Sequence, residues 1–188
     1  MPYAVSYQSQ TTIFDLPFQV LGGQPIFESR ALERFLSGTH VAVLAYLRLD
    51  GRPNQTPIWY TLAGRSLVMS TVTDSPKHRA LERDPRVTVT IQDERPPYRA
   101  VIIEGEVSCT PIDLANNPTD DVDIRYLGRF GAKAYRRLTE EHYAKTGLTL
   151  LTLTPTAVKG FDNSAGLSRG ELAFMRLRNR LPVPKGWL

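Results

Sequence analysis

The feature that most constrains the fold of this chain is a series of short extended runs separated by turn signals. The first run ends at Asp50-Gly51, a dipeptide typical of a tight hairpin turn, and Ala63-Gly64-Arg65 marks another turn. Six runs belong to the series: 40–49, 53–62, 67–71, 87–92, 100–107 and 148–159. Because short turns join strands that run in opposite directions, the series predicts an antiparallel sheet closed into a barrel.

Helical periodicity interrupts these strands in only a few places. It predicts a helix over 27–36, a short helix over 76–83 and a helix pair across 112–146. The apolar side of the pair is formed by Ile124, Leu127, Tyr135, Leu138 and Tyr143. The sequence therefore predicts a mainly β (α+β) fold, a six-stranded antiparallel barrel with peripheral helices. At 188 residues, 1–188 is expected to form a single domain.

Composition narrows the classes of function. The 23 Lys and Arg exceed the 19 Asp and Glu by four, an excess that suits an anionic ligand. A single cysteine, Cys109, excludes an internal disulfide, and three scattered histidines predict no metal site. No apolar stretch approaches the length of a membrane span, and residues 1–10 lack the pattern of a secretory signal. We therefore expect a cytoplasmic protein.

The segment from Ser70 to Arg79 carries most of the chemical information. A strand ends at Ser70-Thr71, and Ser75-Pro76 has the residues of a helix N-cap and first turn. Lys77 stands in that first turn, where a cation opposes the helix dipole unless an anion lies in front of it. The segment therefore indicates either a phosphate site built from hydroxyls, amides and one lysine, or an ordinary capped surface helix.

A second informative segment is Gln55-Thr56-Pro57-Ile58-Trp59. Proline cannot donate to a strand ladder, so Pro53 and Pro57 place part of this run at an edge or against a ligand. Trp59 offers a flat apolar surface beside that edge. Two interpretations remain open: a strand that lies against a planar ligand, and an edge strand protected by proline.

Taken together, these segments resemble a known family. The matching parts are 36–45, 50–60, 67–71, Lys77, 79–87, and the stretch from Tyr98 through 104–107. They are similar to the pyridoxamine 5′-phosphate oxidase-like split β-barrels, of the FMN-binding split-barrel type. The spacing is most similar to the branch of flavin/deazaflavin oxidoreductases that binds coenzyme F420. The resemblance covers about residues 28–160, within an expected barrel core of 28–162.

The resemblance implies a homodimer with a cofactor site at each subunit interface and no reactive nucleophile on the protein. Phosphate binding is implied for Ser70, Thr71, Ser75 and Lys77, with His78 and Arg79 as further candidates. The ring of F420, or of FMN as the alternative, is implied to lie against Gln55, Thr56, Pro57, Ile58 and Trp59, with Gln92 approaching from the partner strand. Tyr60 and Tyr98 are candidate proton donors to a small organic acceptor that takes up a hydride.

Residues 1–27 and 163–188 extend beyond the family pattern and are expected to pack on the core or on the dimer partner. In the tail, Leu172, Phe174, Met175, Leu177 and Leu181 predict a short amphipathic helix. Whether Arg176, Arg178 and Arg180 on it contact a ligand stays open. Two other functions remain: a non-catalytic barrel that binds haem, through His40 or His78, or sequesters another planar ligand, and a nucleic-acid-binding barrel.

Overall fold

The structure is a computed structural model, and it describes residues 11–20, 29–164 and 166–180. Its strands are β1 (Phe18–Val20), β2 (Ala42–Leu47), β3 (Pro53–Ile58), β4 (Tyr60–Ala63), β5 (Ser66–Val72), β6 (Arg86–Gln92), β7 (Arg99–Pro111) and β8 (Leu148–Asp162). Its helices are α1 (Ser29–Leu36), α2 (Pro76–Arg83), α3 (Asp120–Thr146) and α4 (Arg169–Arg180), with a 3-10 turn at Leu114–Asn116. The predicted start of the first helix, at residues 27 and 28, lies outside the described residues.

The strands form one sheet in the order β3-β2-β6-β7-β8-β5-β4, in which all neighbours are antiparallel. Strands β3 and β4 are the two ends of this order, yet only Trp59 separates them in the chain. The sheet must therefore curl until its edges approach each other at Trp59, which gives the split barrel. This arrangement confirms the predicted mainly β, antiparallel fold.

The number of strands differs from the predicted six. The expected run 53–62 is divided at Trp59 into β3 and β4, so the main path has seven strands. The additional short strand β1 pairs in parallel with β8, where Phe18 faces Val158. Strands β7 and β8 pair as far as Pro111 and Asp162, beyond the expected ends. Strands β7 and β8 are longer than expected because pairing between residues distant in the chain extends them, and local sequence patterns do not indicate such pairing.

The core lies inside the curled sheet. In β2 and β6 every second side chain is buried, as half-buried strands require, and Leu44 and Ile91 are completely inaccessible. Helices α1 and α2 close the barrel with Leu36 and Leu81. Each fully buried aliphatic side chain of this kind contributes about 1.5–3 kcal/mol to folding.

Helix α3 is broken at Gly128, whose φ of 67° and ψ of 169° are not helical. The break confirms the predicted helix pair. The predicted apolar side is only partly correct, because Ile124, Leu127 and Leu138 are exposed and Leu138 keeps 76% of its surface in solvent. In the part of the chain that the structure describes, no helix is long and apolar enough to cross a membrane.

Helix α4 confirms the predicted amphipathic helix of the tail. Leu172 and Met175 are half-buried, whereas Phe174 and Leu177 are exposed. The helix contacts the loop after β6, since Asn179 Nδ2 donates to the Pro96 carbonyl over 2.6 Å and Arg95 donates to the Asn179 carbonyl. Leu181 and the side chain of Arg180 lie outside the described residues.

Candidate functional site

The turn between β5 and α2 is held by its own side chains. Ser75 is the N-cap of α2, and its Oγ accepts a hydrogen bond from the His78 amide over 3.2 Å. His78 is buried, and its Nδ1 accepts from the Asp74 amide over 3.1 Å, which stabilises Asp74 at a φ of 57°. Arg79 donates to the Asp74 carbonyl. Ser75, His78 and Arg79, three of the predicted phosphate residues, thus form hydrogen bonds within this segment of the chain.

Lys77, in the first turn of α2, differs from these residues. Its side chain is half-buried, and burial lowers the pKa of its ammonium group below the ordinary value. Among the described residues, no carboxylate lies within 4 Å of it and no hydrogen bond involves its side chain. A half-buried cation without a partner is an unfavourable arrangement unless a ligand completes it.

The lysine lies on the wall of a cleft of about 870 Å³ between the barrel and α3, which we call the first cleft. Six of the predicted cofactor residues line its barrel side: Pro57, Ile58, Trp59, Ser70, Thr71 and Lys77. The opposite wall contains Asp120, Asp123, Arg136 and Glu140 from α3, together with Tyr135 and Tyr143. The structure therefore brings the flat Trp59 surface, two hydroxyls and an unpaired cation to one cavity.

The remaining predicted residues lie elsewhere. Gln55 is exposed in a separate groove, and Gln92 lines a second cleft beside His40. The hydroxyl of Thr56 is buried and has no hydrogen-bond partner among the described residues. Tyr60 is completely buried, and its hydroxyl donates to the Leu36 carbonyl over 2.9 Å. Tyr98 is half-exposed and lines none of the clefts described here.

Aromatic residues of α3 fix the orientation of Trp59. Tyr126 stacks on it with ring centroids 5.0 Å apart and planes within 6°, and Tyr135 lies 5.6 Å away at 54°. Tyr126 donates its hydroxyl to the His40 carbonyl over 2.7 Å. The hydroxyls of Tyr135 and Tyr143 are 2.9 Å apart, and burial raises the pKa of Tyr143. The face and edge of the indole that contact α3 are therefore held in place.

Arg125 fastens this part of α3 to the barrel. Its guanidinium donates to the carbonyls of Leu36, over 2.8 Å, of Tyr60, over 3.2 Å, and of Gly38. It also lies over the Tyr60 ring, 4.8 Å from the centroid. The sequence reasoning missed Arg125 and Tyr126, because their contacts join α3 to residues distant in the chain, which no local pattern indicates.

Comparison with known proteins agrees with this architecture. Residues 29–161 match the family model described as pyridoxamine 5′-phosphate oxidase. The conserved hypothetical protein Rv2991 from Mycobacterium tuberculosis is similar at 20% identity and a TM-score of 0.62, over 80% of this chain and 94% of that chain. Atu2129 from Agrobacterium tumefaciens, of unknown function, is similar at 18% identity and a TM-score of 0.53, over 78% of this chain and 60% of that chain.

A protein described as an F420 reductase is 22% identical over 67% of this chain and 94% of its own, but its TM-score of 0.47 is too low to support any conclusion about the coenzyme. At such identities the structural similarities show the fold alone. The family match is different, because it spans well over half of the sequence. The chain therefore belongs to the pyridoxamine 5′-phosphate oxidase family.

Proposed function

We propose that this protein is a cytoplasmic oxidoreductase that binds coenzyme F420 in the first cleft and reduces a small, electron-poor organic acceptor. The observation that carries the proposal is Lys77, a half-buried cation without a protein partner, on the same cavity wall as Trp59. A cation and a flat aromatic surface on one wall suit a ligand with an anionic group at one end and a planar ring at the other. Family membership supports redox chemistry, and the sequence resemblance supports the deazaflavin.

The residues of the first cleft fit such a coenzyme. A volume of about 870 Å³ lies within the usual range of roughly 300–1,000 Å³ for small-molecule and cofactor pockets. Ser70, Thr71 and Lys77 would hold the phosphate through hydroxyl donors and one charge-assisted bond. Pro57, Ile58 and Trp59 would lie against the ring system and exclude water from it. When bound, the coenzyme would supply the hydride chemistry.

FMN is the second candidate, and the α3 wall favours it. Arg136 pairs with Asp123 over 3.1 Å, but Asp120 and Glu140 have no cation within 4 Å among the described residues. Unpaired carboxylates repel the acidic glutamate tail that F420 carries and FMN lacks. The same phosphate and ring residues would serve either coenzyme. The preference for F420 or FMN therefore depends on whether the glutamate tail leaves the cleft past the carboxylates of α3.

We also infer that the protein works as a homodimer. The family resemblance implies this assembly, and Phe130 on α3, with 91% of its surface exposed, is an apolar side chain that a second copy would cover. Light scattering coupled to size exclusion tests the inference. A mass near 42 kDa, about twice the chain mass of 21.1 kDa, is expected.

The decisive experiment is a fluorescence titration of the purified protein with F420 and, separately, with FMN. Lys77→Ala is expected to weaken binding of the preferred coenzyme by about tenfold or more, because a charge-assisted bond contributes about 1.5–3 kcal/mol. Lys133→Ala is the matched control, since Lys133 is exposed on α3 and does not line the first cleft. Binding of neither coenzyme would overturn the proposal, and a Soret band on addition of haem would favour a haem carrier instead.

A further inference from the structure

A second cleft, of about 480 Å³, lies on the other side of the segment that leads into β2. Its walls come from this segment, from the loop between β6 and β7, and from α4. The polar and charged side chains that matter here are His40, Gln92, Glu94, Arg95, Arg99 and Arg176. Because Arg176 and Asn179 lie on α4, beyond the family match at 29–161, this cleft includes a wall that the family pattern does not supply.

One wall of the second cleft is rigid and already balanced in charge. Asp93 accepts from Arg99 Nε over 2.5 Å and lies 3.6 Å from His40 Nδ1. The His40 ring packs on Phe35 with centroids 4.4 Å apart, and Arg99 lies over the same Phe35 ring. A Cβ on Gly38 would stand 2.7 Å from His40 Nε2, so the glycine gives this ring its space. The charge of Asp93 is therefore neutralised within the wall.

The other charges of the second cleft include surplus cations. Arg176 has no carboxylate within 4 Å among the described residues, and Arg95 contacts only the Asn179 carbonyl. Among the residues that the structure describes, Glu94 is the one acid that lines this cleft outside the Asp93 cluster. Two guanidiniums thus face the cavity against a single carboxylate. Guanidinium groups bind carboxylates and phosphates through paired N–H donors, so this surplus suits an anionic group.

The two clefts meet at one residue. Val41 lies on the walls of both, and the neighbouring His40 carbonyl accepts the hydroxyl of Tyr126, the residue stacked on Trp59. The second cleft therefore adjoins the first cleft at Val41. The side of the first cleft that contains Ser70 and Lys77 lines no part of the second cleft.

We propose that the second cleft is the acceptor subsite and that the acceptor carries a carboxylate held by Arg176 and Arg95. The assignment to an acceptor rests on the proposed function, since it places the reducible part of the molecule near Trp59. The anion site itself rests on the geometry of α4 and the loop after β6. Helix α4 would thereby determine substrate choice, while the barrel holds the coenzyme.

The test compares two electron-poor aromatics of similar shape, para-nitrobenzoate and para-nitrobenzamide, which differ in charge. Binding of each to the full chain is measured by calorimetry without coenzyme, for wild type, Arg176→Gln and Arg178→Gln. Arg178 lies on the same helix but does not line the second cleft, so it is the matched control. We expect wild type to prefer the carboxylate, and Arg176→Gln to bind it about fivefold to tenfold more weakly, with Arg178→Gln unchanged.

Equal binding of the acid and the amide by wild type, or equal losses in the Arg176 and Arg178 variants, would overturn the proposal. Steady-state reduction with reduced F420 as the hydride donor then tests the role of the site, because Arg176→Gln should raise KM for the carboxylate and leave kcat and coenzyme affinity unchanged. Charge-selective binding in a protein that takes up neither coenzyme would support the anion site and overturn the oxidoreductase. Coenzyme binding without a preference for the acid over the amide would support the oxidoreductase and overturn the anion site.

Discussion

The first turn of α2 and the first segment of α3 each contain a half-buried cation, Lys77 and Arg125, but the two cations have opposite surroundings. Arg125 of α3 donates to three backbone carbonyls and lies over two aromatic rings. Lys77 of α2 has neither a carboxylate nor a hydrogen-bond acceptor for its side chain among the described residues. The comparison separates a cation whose partners are within the fold from one that is available to a ligand.

The largest effect expected from this difference is on Arg125. Arg125→Ala removes its hydrogen bonds to the carbonyls of Leu36, Tyr60 and Gly38 and its contact with the Tyr60 ring, so the free energy of unfolding should fall by about 3 kcal/mol. Urea denaturation measures it. Arg129→Ala, at an exposed position just after the break in α3, should change stability by no more than about 0.5 kcal/mol. Similar losses in the two variants would contradict the structural role of Arg125.

Substitution of Tyr126 is expected to lower the free energy of unfolding by less than substitution of Arg125. Tyr126→Phe keeps the ring on Trp59 but removes the hydrogen bond to the His40 carbonyl and the long one, of 3.4 Å, that the hydroxyl accepts from the Tyr60 amide, so the free energy of unfolding should fall by about 1 kcal/mol. Coenzyme affinity should stay within about twofold of wild type, because Tyr126 does not line the first cleft. Tyr98→Phe, at an exposed position, is the control. A large loss of coenzyme affinity in Tyr126→Phe would show that this hydroxyl contacts the ligand.

Much of the barrel could be predicted from local patterns. The Asp50-Gly51 turn holds Gly51 at a φ of 82°, and β2 and β6 alternate as their sequences indicate. The parallel pairing of β1 with β8 could not be predicted, because it joins residues about 140 positions apart and depends on packing rather than on local preference. Division of the 53–62 run at Trp59 has a similar origin, since it follows from curling of the whole sheet.

The candidate site shows the same division between local and long-range information. Ser70 and Lys77 could be proposed because strand, turn and helix start follow one another in the chain, and both line the first cleft. Ser75 and His78 belong to the same segment, but the first turn of α2 uses them for its own hydrogen bonds. The contact between Trp59 and Tyr126 joins residues 67 positions apart, and no pattern in either segment indicates it.

The smallest expected effect is the contribution of Lys77 to the pH dependence of the free energy of unfolding, which is measured without any ligand. Burial lowers its pKa below 10.5 in the folded protein, so between the folded pKa and 10.5 the unfolded chain binds more protons. The free energy of unfolding of wild type should therefore rise with pH in that alkaline window, and Lys77→Met should lack this contribution. The difference between the two proteins, measured by urea denaturation across the window, isolates the lysine from other titrating groups.

At neutral pH the variant should be at least as stable as wild type, because it no longer keeps an unpaired ammonium group half-buried. A variant less stable than wild type at neutral pH would show that Lys77 has a partner within the fold, and the contrast with Arg125 would then no longer hold.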